Sequence, residues 1–269
     1  MTTHLAPCGL CLKLKQLRDS HLLPRALYKL SREPTGGADQ NPVVVTRSNA
    51  LTSSKQVSSP FLCDDCEQRF SDNGERYILA QCARPNGQFK LRELLQAASP
   101  LFNTQKFKVY DVQPLLGSKV DQYLYFAASV FWRASAHRWK MGNEPVGQIS
   151  LGAKYQEQFR LYLLGKTAFP QNARIVVHVS SEAQPDLMTT VFPCTTRVGG
   201  VRRHKFYIPG LLFVLFLGGD VPKRFDNGAL NGSYHQLMWL CPWQNDSLFL
   251  GSVDLMKTSK PSGKLRRGG

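Results

Sequence analysis

Two Cys-x-x-Cys pairs near the N-terminus constrain the fold of this chain more than any other feature. They are Cys8 with Cys11 and Cys63 with Cys66. Two thiolates on one turn can point at the same ion, and two such turns supply the four tetrahedral ligands of a structural Zn²⁺. We therefore predict a small zinc-bound unit in which the metal closes a long loop, with unrelated thiols or disulfides as the alternative.

The other three cysteines, Cys82, Cys194 and Cys241, are scattered along the chain. Isolated cysteines of this kind are most simply buried apolar residues. The total of 7 is odd, and the first residues include no apolar secretory segment. These features favour a reducing, cytoplasmic location.

The charge balance favours a polyanionic partner. The chain has 34 Lys and Arg against 19 Asp and Glu, a formal net charge of +15. A surplus of this size attracts a phosphate backbone through counterion release, although an acidic protein surface is an alternative partner. The longest apolar stretch, 206–217, contains Pro209 and Gly210. It is shorter than the ~20 residues that cross a bilayer, so we expect no transmembrane helix and no membrane partner.

The distribution of periodic segments predicts an α+β fold. Amphipathic helices are expected at 91–98, 121–140 and 151–164. Strands are expected after them, and helices followed by consecutive strands are typical of α+β domains. The predicted strands span 174–179, 189–192, 205–208, 211–217, 236–240 and 248–250. We predict three regions: a zinc-bound domain (1–86), a larger helix-then-strand α+β domain (87–256) and a disordered basic tail (257–269).

The zinc-bracketed segment resembles a known enzyme family. The first Cys-x-x-Cys is followed by Ser20-His21-Leu-Leu-Pro24 and, after a variable loop, by Leu62-Cys-Asp-Asp-Cys-Glu67. This order is similar to that of HNH, or ββα-metal, endonucleases with a four-cysteine zinc, and the likeness covers roughly residues 8 to 80. It implies a strand that ends at a histidine, a helix after the second cysteine pair and metal-dependent cleavage of nucleic acid.

The resemblance also implies roles for individual residues. His21 would be the general base, and Glu67 would hold a catalytic Mg²⁺ or Mn²⁺, since carboxylates suit both ions. Asp19 shares a strand face with His21 and would support the same ion. The sequence departs from the family at Ser20, where an acid or histidine is usual, and at Ser58, near which an asparagine is expected. Three alternatives follow: a divergent nuclease, a catalytically inactive zinc-bound reader of nucleic acid, or a zinc-bound protein-interaction module.

The candidate phosphate contacts are basic side chains near the cysteine and histidine motifs and in a basic turn at 199–205. For this turn, a solvated loop is the alternative. DNA is favoured over RNA as the nucleic acid. The larger domain would recognise a protein partner, a small-molecule signal or more nucleic acid, an organisation that by analogy suits bacterial defence or mobile elements. The candidate contacts are Arg25, Lys29, Arg69, Arg202, Arg203 and Lys205.

Overall fold

The structure, a computed structural model, describes residues 5–30, 43–45, 49–53, 55–182, 189–198, 201–243 and 246–262. It confirms the predicted α+β class, with a small strand-and-cysteine region at the N-terminus and a larger region of helices and one seven-stranded mixed sheet. Residues 263–269 of the predicted tail lie outside the described residues. Within the described part of the chain, no helix is both long and apolar enough to cross a membrane.

The N-terminal region is built on a three-stranded antiparallel sheet of order β1-β2-β5. The elements in chain order are β1 (Leu5–Pro7), β2 (Leu14–His21), α1 (Arg25–Leu30), β3 (Val43–Val45), β4 (Asn49–Thr52), β5 (Ser58–Cys63), α2 (Asp64–Phe70), a π-helical turn (Ser71–Glu75) and α3 (Arg76–Gln81).

The register of β2 against β5 brings the two predicted motifs together. Leu17 pairs with Cys63 and His21 pairs with Ser58, with an irregularity after Arg18. Because α2 begins at the residue after Cys63, the second cysteine pair spans the junction of β5 and α2. The start of α2 therefore lies at the cysteine pairs, while His21, at the end of β2, is four residues from Leu17, the partner of Cys63.

The larger region follows after a short loop. Its elements in chain order are α4 (Lys90–Ala97), β6 (Phe102–Asn103), β7 (Lys108–Asp111), α5 (Gln113–Leu116), a 3-10 turn (Gly117–Lys119), α6 (Val120–Ala136), β8 (Lys140–Met141), β9 (Glu144–Pro145), α7 (Gly152–Leu163), β10 (Ala173–Ser180), β11 (Val191–Val198), β12 (Val201–Ile208), β13 (Leu211–Leu217), α8 (Val221–Phe225), a 3-10 turn (Asp226–Gly228), β14 (Leu237–Cys241), α9 (Ser247–Thr258) and β15 (Lys260–Pro261).

The large sheet has the order β11-β12-β13-β10-β14-β7-β6. Its neighbours are antiparallel except for β10 and β14, which run parallel. Helix α6 covers one face, where the Phe126 ring lies 5.5 Å from Phe213 and the Phe131 ring lies 4.9 Å from Phe206. Since side chains alternate along a strand, the residues next to Phe206 and Phe213 in sequence point to the opposite face of the sheet.

Helix α6 joins the two regions into one hydrophobic core. Every residue from 123 to 134 is buried, as expected for a core helix rather than a surface one. On the side away from the sheet, α6 contacts the π-helical turn at Gly74, where an added Cβ would lie 3.0 Å from the backbone nitrogen of Phe126. The absence of a side chain at this position therefore allows the backbones to approach closely.

Two of the predicted elements need correction. The helix expected over 121–140 ends at Ala136, because His137 has an extended backbone, and Lys140–Met141 then pairs with Glu144–Pro145. The strand expected over 248–250 is wrong, since these residues lie in α9. In that helix Phe249 packs against Trp243 at 5.8 Å. The same helix includes Lys257 and Thr258, which the sequence assigned to the tail.

The apolar stretch 206–217 forms the hairpin of β12 and β13, and its turn gives a testable prediction of stability. Gly210 has φ +80°, and an added Cβ would lie 2.5 Å from Cζ of Phe89. Gly210→Ala should cost about 1–2 kcal/mol for the left-handed backbone and a further ~1–3 kcal/mol for overpacking. We expect the melting temperature to fall by roughly 5–15 °C in thermal denaturation.

Gly87→Ala is the matched control for this substitution. Gly87 has a similar φ of +84°, but no described atom lies within 4 Å of its ideal Cβ. It should therefore show the backbone cost alone, and a smaller fall in melting temperature. Equal losses in the two variants would contradict the role assigned to the contact with Phe89.

Candidate metal centre and the polar site beside it

The four cysteines of the two Cys-x-x-Cys pairs converge on one point. Cys8 and Cys11 lie on the turn between β1 and β2, Cys63 ends β5, and Cys66 lies in the first turn of α2. Their sulfur atoms all lie within 4.8 Å of one another, and the Cys11 and Cys63 sulfurs are 3.9 Å apart. A tetrahedral zinc with Zn–S bonds of ~2.3 Å requires S–S edges of ~3.8 Å. The cluster therefore has the donors and the dimensions to bind a metal such as zinc.

The surroundings of Cys8 favour a thiolate. The backbone nitrogen of Cys63 donates a hydrogen bond to the Cys8 sulfur at 3.3 Å. Hydrogen bonding with the Cys66 thiol, aided by backbone amides, lowers the pKa of Cys8 to about 4, against the opposing effect of burial. A thiolate is the form of cysteine that coordinates a metal. Among the described residues, no other group of three or more His, Cys, Asp or Glu side chains meets in this way.

His21 lies at the last position of β2, where the sequence placed it. Its backbone oxygen accepts a hydrogen bond from Nη1 of Arg133 at 2.8 Å, and its ring lies 6.3 Å from that of Tyr28. Burial lowers the pKa of His21, while the charges of Asp19 and Glu67 oppose this change. The imidazole is therefore neutral near pH 7, the form that accepts a proton or binds a metal.

Glu67 lies in the first turn of α2, directly after Cys66. Its Oε1 atom is buried and, within the described part of the chain, has no hydrogen-bond partner. Oε1 of Gln56 is likewise buried without a hydrogen-bond partner among the described residues. The Gln56 side chain also raises the pKa of His21 through a hydrogen bond, against the effect of burial. A buried carboxylate oxygen without a partner is costly, so such an atom calls for a ligand or an ion to complete it.

Asp19 is exposed and already engaged. Its Oδ2 accepts a hydrogen bond from the hydroxyl of Ser58 at 2.9 Å. The site brings Asp19, His21 and Glu67 close enough for their charges to interact, but their ligand atoms do not converge as a three-donor metal site. The three predicted catalytic residues are thus near one another, but their ligand atoms do not meet at one point as the four cysteine sulfurs do.

The structure gives physical roles to both serines at which the sequence departs from the family pattern. Ser20 is fully buried, and its hydroxyl oxygen accepts a hydrogen bond from the backbone nitrogen of Leu62 at 2.9 Å. It thereby satisfies a backbone donor beside the irregularity that follows Arg18 in the pairing of β2 and β5. Ser58 positions the carboxylate of Asp19. Both serines therefore stabilise the strand pair on which His21 lies.

Arg133 of α6 is a residue of this site that the sequence reasoning missed. It is 1% exposed, and besides His21 it donates a hydrogen bond to Oε1 of Glu75 at 2.6 Å and another to the Ser129 hydroxyl at 3.3 Å. Burial raises the pKa of Glu75, and the Arg133 cation opposes this rise. A single arginine within the apolar run 123–134 was the available signal, because a buried charge requires polar partners.

The predicted phosphate contacts separate by exposure. Arg25 and Lys29 on α1 are exposed, as are Arg69 on α2 and Arg202 at the start of β12. Lys205 is instead 1% exposed and forms an ion pair with Asp246, so it lies in the interior rather than on the surface. Arg203 is half-buried on the same side of β12 as Lys205.

Part of the HNH resemblance is supported by the structure: the four-cysteine cluster has metal-binding dimensions. No protein-family model, no curated protein and no solved structure matches the chain.

Proposed function

We propose that the N-terminal region is an HNH-like, metal-dependent endonuclease that cleaves nucleic acid, with DNA favoured over RNA. One observation carries the proposal: Glu67 has a buried carboxylate oxygen without a partner among the described residues, and its charge acts on His21, whose pKa is lowered by burial. Both residues belong to elements that the four-cysteine cluster joins. Hydrolysis of a phosphodiester needs a neutral base and an anionic metal ligand in such an arrangement.

The roles follow from the position of each group. His21 takes the proton of the attacking water, and the hydrogen bond from Arg133 holds the backbone from which its ring projects. Glu67 would hold a divalent ion, with Asp19 in support on the same strand face as His21. A bound Mg²⁺ or Mn²⁺ would stabilise the charge that develops on the phosphate and the leaving oxygen.

The charge of the protein supports a nucleic-acid substrate. Arg25 and Lys29 are exposed on α1, which begins four residues after His21, and Arg69 is exposed one turn from Cys66 on α2. In this proposal these side chains contact the phosphate backbone on either side of the cleaved bond. The net charge of +15 attracts the polyanion before these contacts form.

A second candidate is a zinc-bound reader of nucleic acid without catalytic activity. It is favoured by the hydrogen bond that Ser58 gives to Asp19 and by the lack of convergence of Asp19, His21 and Glu67 on one metal position. In this case the cysteine cluster preserves the fold, and the exposed basic residues supply the binding. The protein-interaction alternative requires that the basic surface meet an acidic protein instead.

The experiment that tests the proposal compares cleavage with binding. Purified protein is incubated with plasmid DNA and with RNA in Mg²⁺, in Mn²⁺ and in EDTA, and binding is measured in parallel at several salt concentrations. We expect cleavage that depends on a divalent ion, and faster cleavage of DNA than of RNA. Binding without cleavage under every metal condition would favour the reader, while no binding at low salt would contradict both candidates.

A further inference from the structure

The face of the large sheet opposite α6 contains a cavity of about 360 Å³ that the proposed nuclease site does not use. Its floor is formed by alternate residues of four strands, among them His178 of β10, Arg203 of β12, Phe216 of β13 and Trp239 of β14. Helix α8 and the turn that follows it close one side. A volume near the lower end of the roughly 300–1,000 Å³ typical of small-molecule sites fits one ring system with its substituents.

Aromatic rings form much of the lining of this cavity, three on its floor and one, Phe225, at its side. The rings of His178 and Trp239 lie 6.1 Å apart at an angle of 22°, and the rings of Phe216 and Phe225 stack at 4.0 Å and 15°. Trp239 is held in place by a hydrogen bond of 2.8 Å from its Nε1 to the Gly228 oxygen. Flat, fixed aromatic walls favour a planar apolar ligand that can stack on them.

The charges that face the cavity favour an anion. Lys205 is paired with Asp246, which also accepts a hydrogen bond from Tyr207, so these charges compensate each other. Burial lowers the pKa of His178 to about 4, which leaves this ring neutral at pH 7. Two cations remain on the lining, Arg203 and Arg224.

Neither arginine is neutralised by another residue in the part of the chain that the structure describes. Nε of Arg203 donates to the Thr196 hydroxyl at 3.1 Å, and the Arg224 guanidinium lies 5.8 Å from the ring centroid of Phe225. Among the described residues, neither forms an ion pair with a carboxylate. A guanidinium group binds phosphate or carboxylate through two parallel hydrogen bonds, and it also stacks on planar rings.

We propose that this cavity binds a small planar anion, an aromatic or heterocyclic ring that carries a phosphate or a carboxylate. The ring stacks on the aromatic floor, and Arg203 and Arg224 bind the acidic group. This site does not depend on the nuclease proposal, because none of its residues lies in the N-terminal region. Arg203, which the sequence assigned to a nucleic-acid backbone, here becomes a ligand-binding residue of the larger domain.

Isothermal titration calorimetry of the whole 269-residue chain tests this site. The probes are adenosine monophosphate, with adenosine and inorganic phosphate as its separate halves, and indole-3-carboxylate, with indole and formate as its separate halves. We expect at least one of the two ring anions to bind ~10-fold or more tightly than either of its halves, because both stacking and charge contribute.

Three variants distinguish the cavity from other basic surfaces. Arg203→Gln and Arg224→Gln should each weaken binding by ~10-fold or more, since each removes a charge-assisted hydrogen bond. Arg202→Gln is the matched control, because Arg202 is the neighbouring, exposed residue of the same strand and lies outside the cavity lining. Arg224 is also exposed, so its substitution should leave the fold intact, which circular dichroism checks.

His21→Ala should leave binding of the ring anion unchanged, which separates this site from the proposed nuclease site. The proposal is overturned if neither ring anion binds more tightly than its halves. It is equally overturned if Arg202→Gln weakens binding as much as Arg203→Gln, or if His21→Ala abolishes binding.

Discussion

Purified protein should contain about one zinc per chain, and Cys8→Ser or Cys63→Ser should remove it and unfold at least the first ~80 residues. Both cysteines are almost fully buried and lie in the continuous hydrophobic core. A structural zinc site of this kind contributes roughly 10–16 kcal/mol in small peptides, as much as the whole stability of a typical domain. Elemental analysis measures the metal, and limited proteolysis with circular dichroism measures the unfolding.

Cys82→Ser is the matched control for these variants. Cys82 is also buried at 1% exposure, but its sulfur donates a hydrogen bond to the Ile78 oxygen and it is not part of the cluster. The same change of sulfur to oxygen should therefore leave the zinc in place and cost only about 1–2 kcal/mol, a usual value for one point substitution. Folded wild-type protein without zinc, or equal loss of metal in Cys82→Ser, would contradict the structural role of the cluster.

Each cysteine pair could be recognised in the sequence because its geometry is local. Each pair lies on one tight turn, and the spacing of two residues places both sulfurs on the same side. The placement of His21 at a strand end and of Glu67 near a helix start came from the resemblance to HNH endonucleases rather than from local spacing. Their catalytic roles stay predictions, because the local pattern does not show whether a third ligand converges with them.

The burial of Lys205 could not be predicted, because it depends on a partner far along the chain. The run Arg202-Arg-His-Lys205 has the composition of a solvated basic turn. In the folded chain it forms part of β12, so alternate side chains point to opposite faces of the sheet. Asp246, 41 residues later, then pairs with Lys205 in the interior. A pattern of charges alone does not contain this pairing.

The incorrect strand at 248–250 has a related cause. Three consecutive apolar residues fit a short buried strand and one side of a helix equally well. The neighbours decide the outcome, since Phe249 lies in a helix of 12 residues and packs there against Trp243 and Tyr207 of other elements.

The strand Ser58–Cys63 is a separate case, because the sequence did not predict it. Its sequence begins Ser-Ser-Pro, a weak strand signal, and its pairing with β2 determines its structure.

His21→Ala and Glu67→Gln should each lower nucleic-acid cleavage by at least ~100-fold, the scale expected for the loss of a general base or a metal ligand. The two variants should differ in their response to the divalent ion. Loss of His21 removes the proton acceptor, so its rate should stay low at saturating Mg²⁺. Loss of the Glu67 charge weakens the ion's site, so part of its rate should return as the Mg²⁺ concentration rises.

Matched controls exclude effects on the fold. Asp64→Asn removes an exposed carboxylate from the same helical turn as Glu67, and His235→Ala removes an exposed histidine of the other region. Neither control should change cleavage, and all four variants should keep their zinc, because none of these residues belongs to the cysteine cluster. Full cleavage by His21→Ala would mean that the active site lies elsewhere. If the wild type binds DNA but never cleaves it, the buried oxygen of Glu67 serves no catalytic ion, and the reader becomes the better description of this region.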